Sequence, residues 1–114
     1  MKISVRTRDL FSNDDLENRV ERKVKNAVDR FKDRIDRISV LLSDVNGPRG
    51  GVDKLCQMTA DVRGIGTLFI TAVGSDLLAA VANAAERLGY RIHTESERQR
   101  VFGAHRRATI RGAQ

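Results

Sequence analysis

The stretch Ser12-Asn13-Asp14-Asp15-Leu16-Glu17-Asn18-Arg19-Val20-Glu21-Arg22-Lys23-Val24-Lys25-Asn26-Ala27-Val28-Asp29-Arg30-Phe31-Lys32-Asp33-Arg34-Ile35-Asp36-Arg37 decides the fold. It opens on short polar side chains that accept from the orphan N–H groups of a first helical turn. Its early acids complement the positive end of a helix. Leu16, Val20, Val24, Ala27, Val28 and Phe31 then recur at steps of four, four, three, one and three. That spacing is one apolar stripe along a helix. The pattern predicts a helix ending near Arg34 to Asp36, where alternation takes over. At roughly 100° per residue, Arg19, Arg22, Lys23, Arg30 and Arg34 share one flank of the stripe, while Glu17 and Glu21 lie on the other. A cation row beside a core-facing stripe is either a solvated edge or a binding edge.

Strand patterns lie on both sides of this helix. Residues 2–6 alternate, with Ile3 and Val5 on one side and Lys2, Ser4 and Arg6 on the other. Residues 37–44 alternate through Ile38, Val40 and Leu42. The run from Asp44 to Gly51 is a loop by composition. Its glycines beside Arg49 are compatible with a phosphate contact, but no strand-loop-helix context surrounds them, and a long hairpin connection is the simpler reading. Residues 54–62 form a third strand with Cys56, Met58, Ala60 and Val62 on its apolar side. Arg63-Gly64-Ile65-Gly66 makes a tight turn, and Thr67 to Val73 a fourth strand.

Ser75 and Asp76 open a second helix, whose stripe is Leu77, Val81, Ala84, Ala85, Leu88 and Ile92. Its many alanines make it slim, which suits close packing on a sheet. Gly89 marks a weak point: the helix either ends there or runs on toward Arg98. Arg87, Arg91 and Arg98 fall on one flank, so both helices carry a cationic edge. If they lie side by side on one sheet face, those edges line a shared groove or border a common surface. The expected architecture is therefore α+β, in the order β-α-β-β-β-α, with two helices on one face of a four-stranded sheet. Residues 1–100 form the domain and residues 101–114 a basic, flexible tail.

The totals support a polyanionic partner. The chain has 114 residues, 21 Lys and Arg against 15 Asp and Glu, and a formal net charge of +6. Nucleic acid ranks first among partners for such a balance. No apolar run approaches the ~20 residues needed to span a bilayer, and the start reads as a strand and not a signal peptide. The one cysteine, Cys56, has no internal disulfide partner, which indicates a cytoplasmic protein. Enzyme chemistry lacks a converging constellation. His93 and His105 are the only histidines, Cys56 belongs to an apolar strand face, and no metal or cofactor motif occurs. Of the aromatics Phe11, Phe31, Phe69, Tyr90 and Phe102, only Phe69 falls on a strand. That argues against a base-stacking platform and for recognition through phosphates and shape, as structured RNA offers.

Several strings carry a family likeness. They are Arg30-Phe31-Lys32-Asp33-Arg34-Ile35 leading into Ile38-Ser39-Val40-Leu41-Leu42, then Thr71-Ala72-Val73-Gly74-Ser75-Asp76-Leu77-Leu78-Ala79-Ala80-Val81, and Glu86-Arg87-Leu88. With the element order, they make residues 1–93 resemble the short ribosome hibernation-promoting and ribosome-associated inhibitor family. The resemblance implies a fold similar to double-stranded-RNA-binding domains. It implies a monomer that binds rRNA of the small ribosomal subunit, in the channel used by mRNA and tRNA, and blocks translation when growth stops. No membrane, cofactor or small-molecule substrate is implied. Carried over by position, the RNA-binding residues are Arg19, Arg22, Lys23 and Arg30 on the first helix and Arg87 and Arg91 on the second. This chain departs from the family at Leu78, usually aromatic, at Ala82, usually Asp, and at Thr94-Glu95-Ser96-Glu97, which replaces a Lys-rich run. Those departures carry the alternative: a divergent member serving as a protein-interaction or regulatory module.

Overall fold

The computed structural model describes residues 1–8, 13–44 and 54–113, with side chains described as far as Val101. Strand β1 (Lys2–Arg8) is followed by helix α1 (Asp14–Val28), then β2 (Ile35–Asp44), β3 (Lys54–Val62), β4 (Gly66–Gly74) and helix α2 (Leu77–Ala113). The sheet order is β1-β2-β3-β4. β1 and β2 pair in parallel, joined by the α1 crossover, and β2, β3 and β4 form an antiparallel meander. The expected α+β architecture is the one observed. The antiparallel pairing of Asp44 with Lys54 makes the segment between them a hairpin connection. The suggested Gly-Arg phosphate contact lies outside the described residues.

Both helix starts are capped as their sequences require. Asn13 Oδ1 accepts from the Leu16 N–H at 2.8 Å, and Asp76 Oδ1 from the Ala79 N–H at 2.8 Å. The end of α1 differs from expectation. It stops at Val28 and passes through one 3-10 turn, Asp29–Phe31, before β2 begins at Ile35. Ile35 continues the helical spacing of Val28 and Phe31, yet it pairs with Val62 of β3. A bulge between Ile35 and Arg37 takes up one residue of phase, so that Ile35 and Ile38 are both buried. Sheet pairing and burial of Ile35 override the local helical pattern.

The core lies between the helices and one sheet face. Val20, Val24 and Val28 of α1 and Ala80, Val81, Ala84, Ala85, Leu88 and Ile92 of α2 are buried against Ile38, Val40, Leu42, Met58, Ala60, Leu68 and Ile70. Ala27, assigned to the α1 stripe on spacing, is exposed and borders α2. α2 does not end at Gly89. That residue is buried where the helices meet, and a Cβ there would stand 3.6 Å from the Ala27 carbonyl oxygen. The backbone of α2 continues to Ala113, through the expected division at residue 100; the side chains of residues 102–114 lie outside those described.

Two contacts pin the distal part of α2 to the β3–β4 turn. Arg34 donates to Ser96 Oγ at 2.7 Å and to the Arg63 carbonyl at 3.2 Å, and the Gln99 amide donates to the Gly64 carbonyl. The turn needs its glycines, since Gly64 and Gly66 have φ of 81° and 105°.

Cys56 is fully buried on β3, and desolvation pushes its thiol up to about 12 from an ordinary 9.0. The thiolate is the reactive form. In the folded protein at pH 8, Cys56 is therefore expected to resist a thiol reagent and to react at once in denaturant, which absorbance titration measures. The sign for stability follows. The folded state holds the proton more tightly, so this group costs nothing below about pH 9 and lowers stability progressively from 9 toward 12.

Candidate functional site

The two helices meet along a groove of about 670 Å³. Its floor is made of small residues, Ala27, Ala85 and Gly89, which let the backbones approach. Lys23, Asn26 and Arg30 form one wall, and Glu86, Tyr90 and His93 form the other. Lys23 and Asn26 also border a smaller hollow with Arg19, Arg22 and Leu78. Arg19, Arg22, Lys23 and Arg30 thus form one continuous exposed row along the α1 side of the interhelical groove. The Arg30 guanidinium lies over the Phe31 ring, 4.6 Å from its centroid, which holds the charge in place.

Arg87 and Arg91 are exposed too, but they face away from α1. They line a second concavity of about 690 Å³ between α2 and the edge strand β4. Glu86 and Tyr90 border both hollows, so they form the outward crest of α2. The six sequence-derived residues accordingly fall into two groups, four on the α1 flank and two on the β4 flank. They border a common surface across the crest and do not line one shared groove. The reason is rotational: positions 83, 87 and 91 repeat at four and point toward β4, whereas 82, 86, 89 and 93 turn toward α1.

Arg87 has a further partner. It donates to the Thr71 carbonyl at 2.8 Å, and Asn83, one turn earlier, donates to the Val73 carbonyl at 2.9 Å. These are outward-facing acceptors of the edge strand, and covering them blocks strand addition from another chain.

Charge is left unbalanced on the α1 flank. Among the described residues none of the six site cations forms an ion pair; the printed pairs are Lys54–Asp44, Arg63–Asp36, Arg98–Glu95 and Arg100–Glu97. The remaining members of the two rows are spoken for. Arg34 is half-buried and bonded to Ser96, because it lies in the turn beyond α1 where helical spacing no longer applies. Arg98 meets Glu95 at 3.3 Å and Arg100 meets Glu97 at 2.9 Å, so the acids that interrupt the distal helix cancel its cations.

Sequence reasoning did not single out Tyr90 or Phe69, which are 69% and 71% exposed. A signal existed for Tyr90: it falls opposite the buried row Val81, Ala84, Leu88 and Ile92. The catalytic alternative built on Cys56 and His93 is removed, since the thiol is inside the core and the imidazole on the surface. Among the described residues no three His, Cys, Asp or Glu side chains gather to hold a metal, and no helix is long and apolar enough to cross a membrane.

A β-α-β-β-β-α layer with an exposed basic helical face defines a class of small polyanion-binding α+β domains. Within it, residues 3–100 match the family model described as sigma 54 modulation protein / S30EA ribosomal protein, and the chain belongs to that family. This is a family of ribosome-associated factors and not of enzymes. No curated protein sequence matches the chain. Its fold is similar to a ribosomal subunit interface protein from Coxiella burnetii, with a TM-score of 0.72 and 16% identity over 85% of this chain and 99% of that one. It is also similar to the N-terminal domain of Protein Y from Thermus thermophilus, with a TM-score of 0.67 and 27% identity over 81% and 96% of the two chains.

Proposed function

We propose that this protein is a cytoplasmic hibernation factor that binds the small ribosomal subunit as a monomer and silences translation. Arg19, Arg22, Lys23 and Arg30 contact rRNA phosphates, and Arg87 and Arg91 extend the contact across α2. The observation that carries this reading is the row of four exposed, unpaired cations beside the interhelical groove, in a chain of the S30EA family. Guanidinium groups suit phosphate because their planar fork donates two parallel hydrogen bonds. A two-layer domain that offers a helical face to RNA, as double-stranded-RNA-binding domains do, reads phosphates and shape without opening the duplex. The ion pairs at Glu95 and Glu97 confine the basic surface to α1 and the first four turns of α2.

Pelleting with purified 30S subunits at graded salt tests the proposal. The protein is expected in the ribosomal fraction at low salt, with log affinity falling linearly as log salt rises. Its absence from that fraction at low salt overturns the proposal.

A further inference from the structure

The hollow between α2 and β4 differs in chemistry from the cationic row on α1. It sets two exposed aromatic rings, Phe69 and Tyr90, beside two arginines, Arg87 and Arg91. The Arg87 side chain is already oriented by the Thr71 carbonyl. Glu86 stands on the same rim. Rings this exposed on a small domain cost solvation unless something covers them. A carboxylate in the hollow makes a purely phosphate-binding role a poor fit, because it repels a bare polyanion. A nucleotide matches all three features. Its base has a π-face for the rings, its phosphate an anion for the arginines, and its amino groups donate to a carboxylate.

We propose that this hollow is a binding site for an unpaired ribonucleotide, with the base stacked on Phe69 and Tyr90 and its phosphate held by Arg87 and Arg91. The inference rests on the RNA reading above and deepens it. The α1 row grips backbone, and the β4 flank captures a single base displayed by a loop or a strand end. It also gives the β4 flank its own task, separate from the α1 row.

The chain supplies its own reporter. Tyr90 is the only tyrosine and there is no tryptophan, so intrinsic fluorescence reads Tyr90 alone. Single-stranded oligoadenylate of six nucleotides, titrated into the full chain at low salt, is expected to quench this emission. Inorganic polyphosphate and a hexaglutamate peptide of similar charge are expected to leave it unchanged. Equal quenching by either control, or none by the oligonucleotide, overturns the proposal. Tyr90 also borders the interhelical groove, so Phe69, which lines the β4 hollow alone, decides the location. Phe69→Ala and Phe69→Leu, each checked for unchanged circular dichroism, should both weaken binding of fluorescein-labelled oligoadenylate by about 5- to 150-fold, the range for loss of one stacked base. Leucine keeps the bulk without the π-face, so wild-type affinity in Phe69→Leu overturns stacking. The two proposals fail separately. Quenching without ribosome pelleting removes the ribosome and keeps the base site, and pelleting without quenching does the reverse.

Discussion

Replacing Gly74 with Ala is expected to destabilise the protein by about 2–3 kcal/mol, the cost of forcing extra volume into a packed site. Gly74 is the last residue of β4 and is buried under the first turn of α2. A Cβ added there would lie 2.5 Å from the Ala80 nitrogen and 2.9 Å from both the Ala79 carbonyl carbon and the Ala80 Cα. All three are backbone atoms, so no side chain can swing aside. Either the strand end or the helix start must move. The helix start is held by Asp76, whose Oδ1 and carbonyl accept from the Ala79 and Ala80 N–H groups. Displacing it therefore also strains the cap. Urea denaturation followed by circular dichroism checks this. The midpoint should fall while the slope stays constant, since the surface exposed on unfolding is the same. An unchanged midpoint would show that the strand-to-helix corner yields freely. The family likeness of Thr71-Ala72-Val73-Gly74-Ser75-Asp76 thus has a steric meaning: the corner closes only around a residue without a side chain.

The second large effect concerns the cationic row. Lys23→Glu combined with Arg30→Glu should weaken ribosome association by about 100-fold or more. Each lost charge-assisted hydrogen bond is worth about 1.5–3 kcal/mol, and the introduced carboxylates add repulsion. The salt dependence should flatten as well, by about one unit of log–log slope for each phosphate contact removed. Both side chains are exposed, and neither is bonded to the core, so the fold should survive. Arg87 is left out of this variant by design. Its guanidinium covers the Thr71 carbonyl on the sheet edge, so reversing it would disturb β4 together with any RNA contact. Pelleting of the double variant with 30S subunits at wild-type levels would move the interface away from α1.

Much of the fold was legible in the residues because each element obeys one strong local rule. The third strand shows this well. Cys56, Met58, Ala60 and Val62 alternate with more polar residues, and the strand occupies Lys54–Val62 as expected. The two helix starts were equally plain, as Asn and Asp at those places can satisfy the free N–H groups. Misreadings arose where two patterns coincided. Ile35 satisfies the spacing of both a helix and a strand, and only pairing with Val62 breaks the tie. Gly89 looked like a helix end because an isolated glycine weakens a helix; contact with α1 keeps the helix going through it.

The site was legible in its residue types but not in its grouping. Periodicity along one helix says which side chains share a flank. It does not say which neighbour that flank faces, because the rotation of α2 about its axis is set by burying Val81, Ala85, Leu88 and Ile92 against sheet and α1 together. That rotation sends Arg87 and Arg91 toward β4 and leaves Tyr90 on the crest.

By itself, then, the order of the amino acids determined the class of fold, the element sequence, the inert thiol and the supply of positive charge. These depend on alternation, capping and composition, which act within a few residues. The tertiary structure decided where α1 ends, which cations remain unpaired and which rings stay in water. Those outcomes depend on groups far apart in the chain competing for the same partners: Arg34 is drawn to Ser96, Arg87 to the edge of β4, and only the α1 row is left facing outward as free charge.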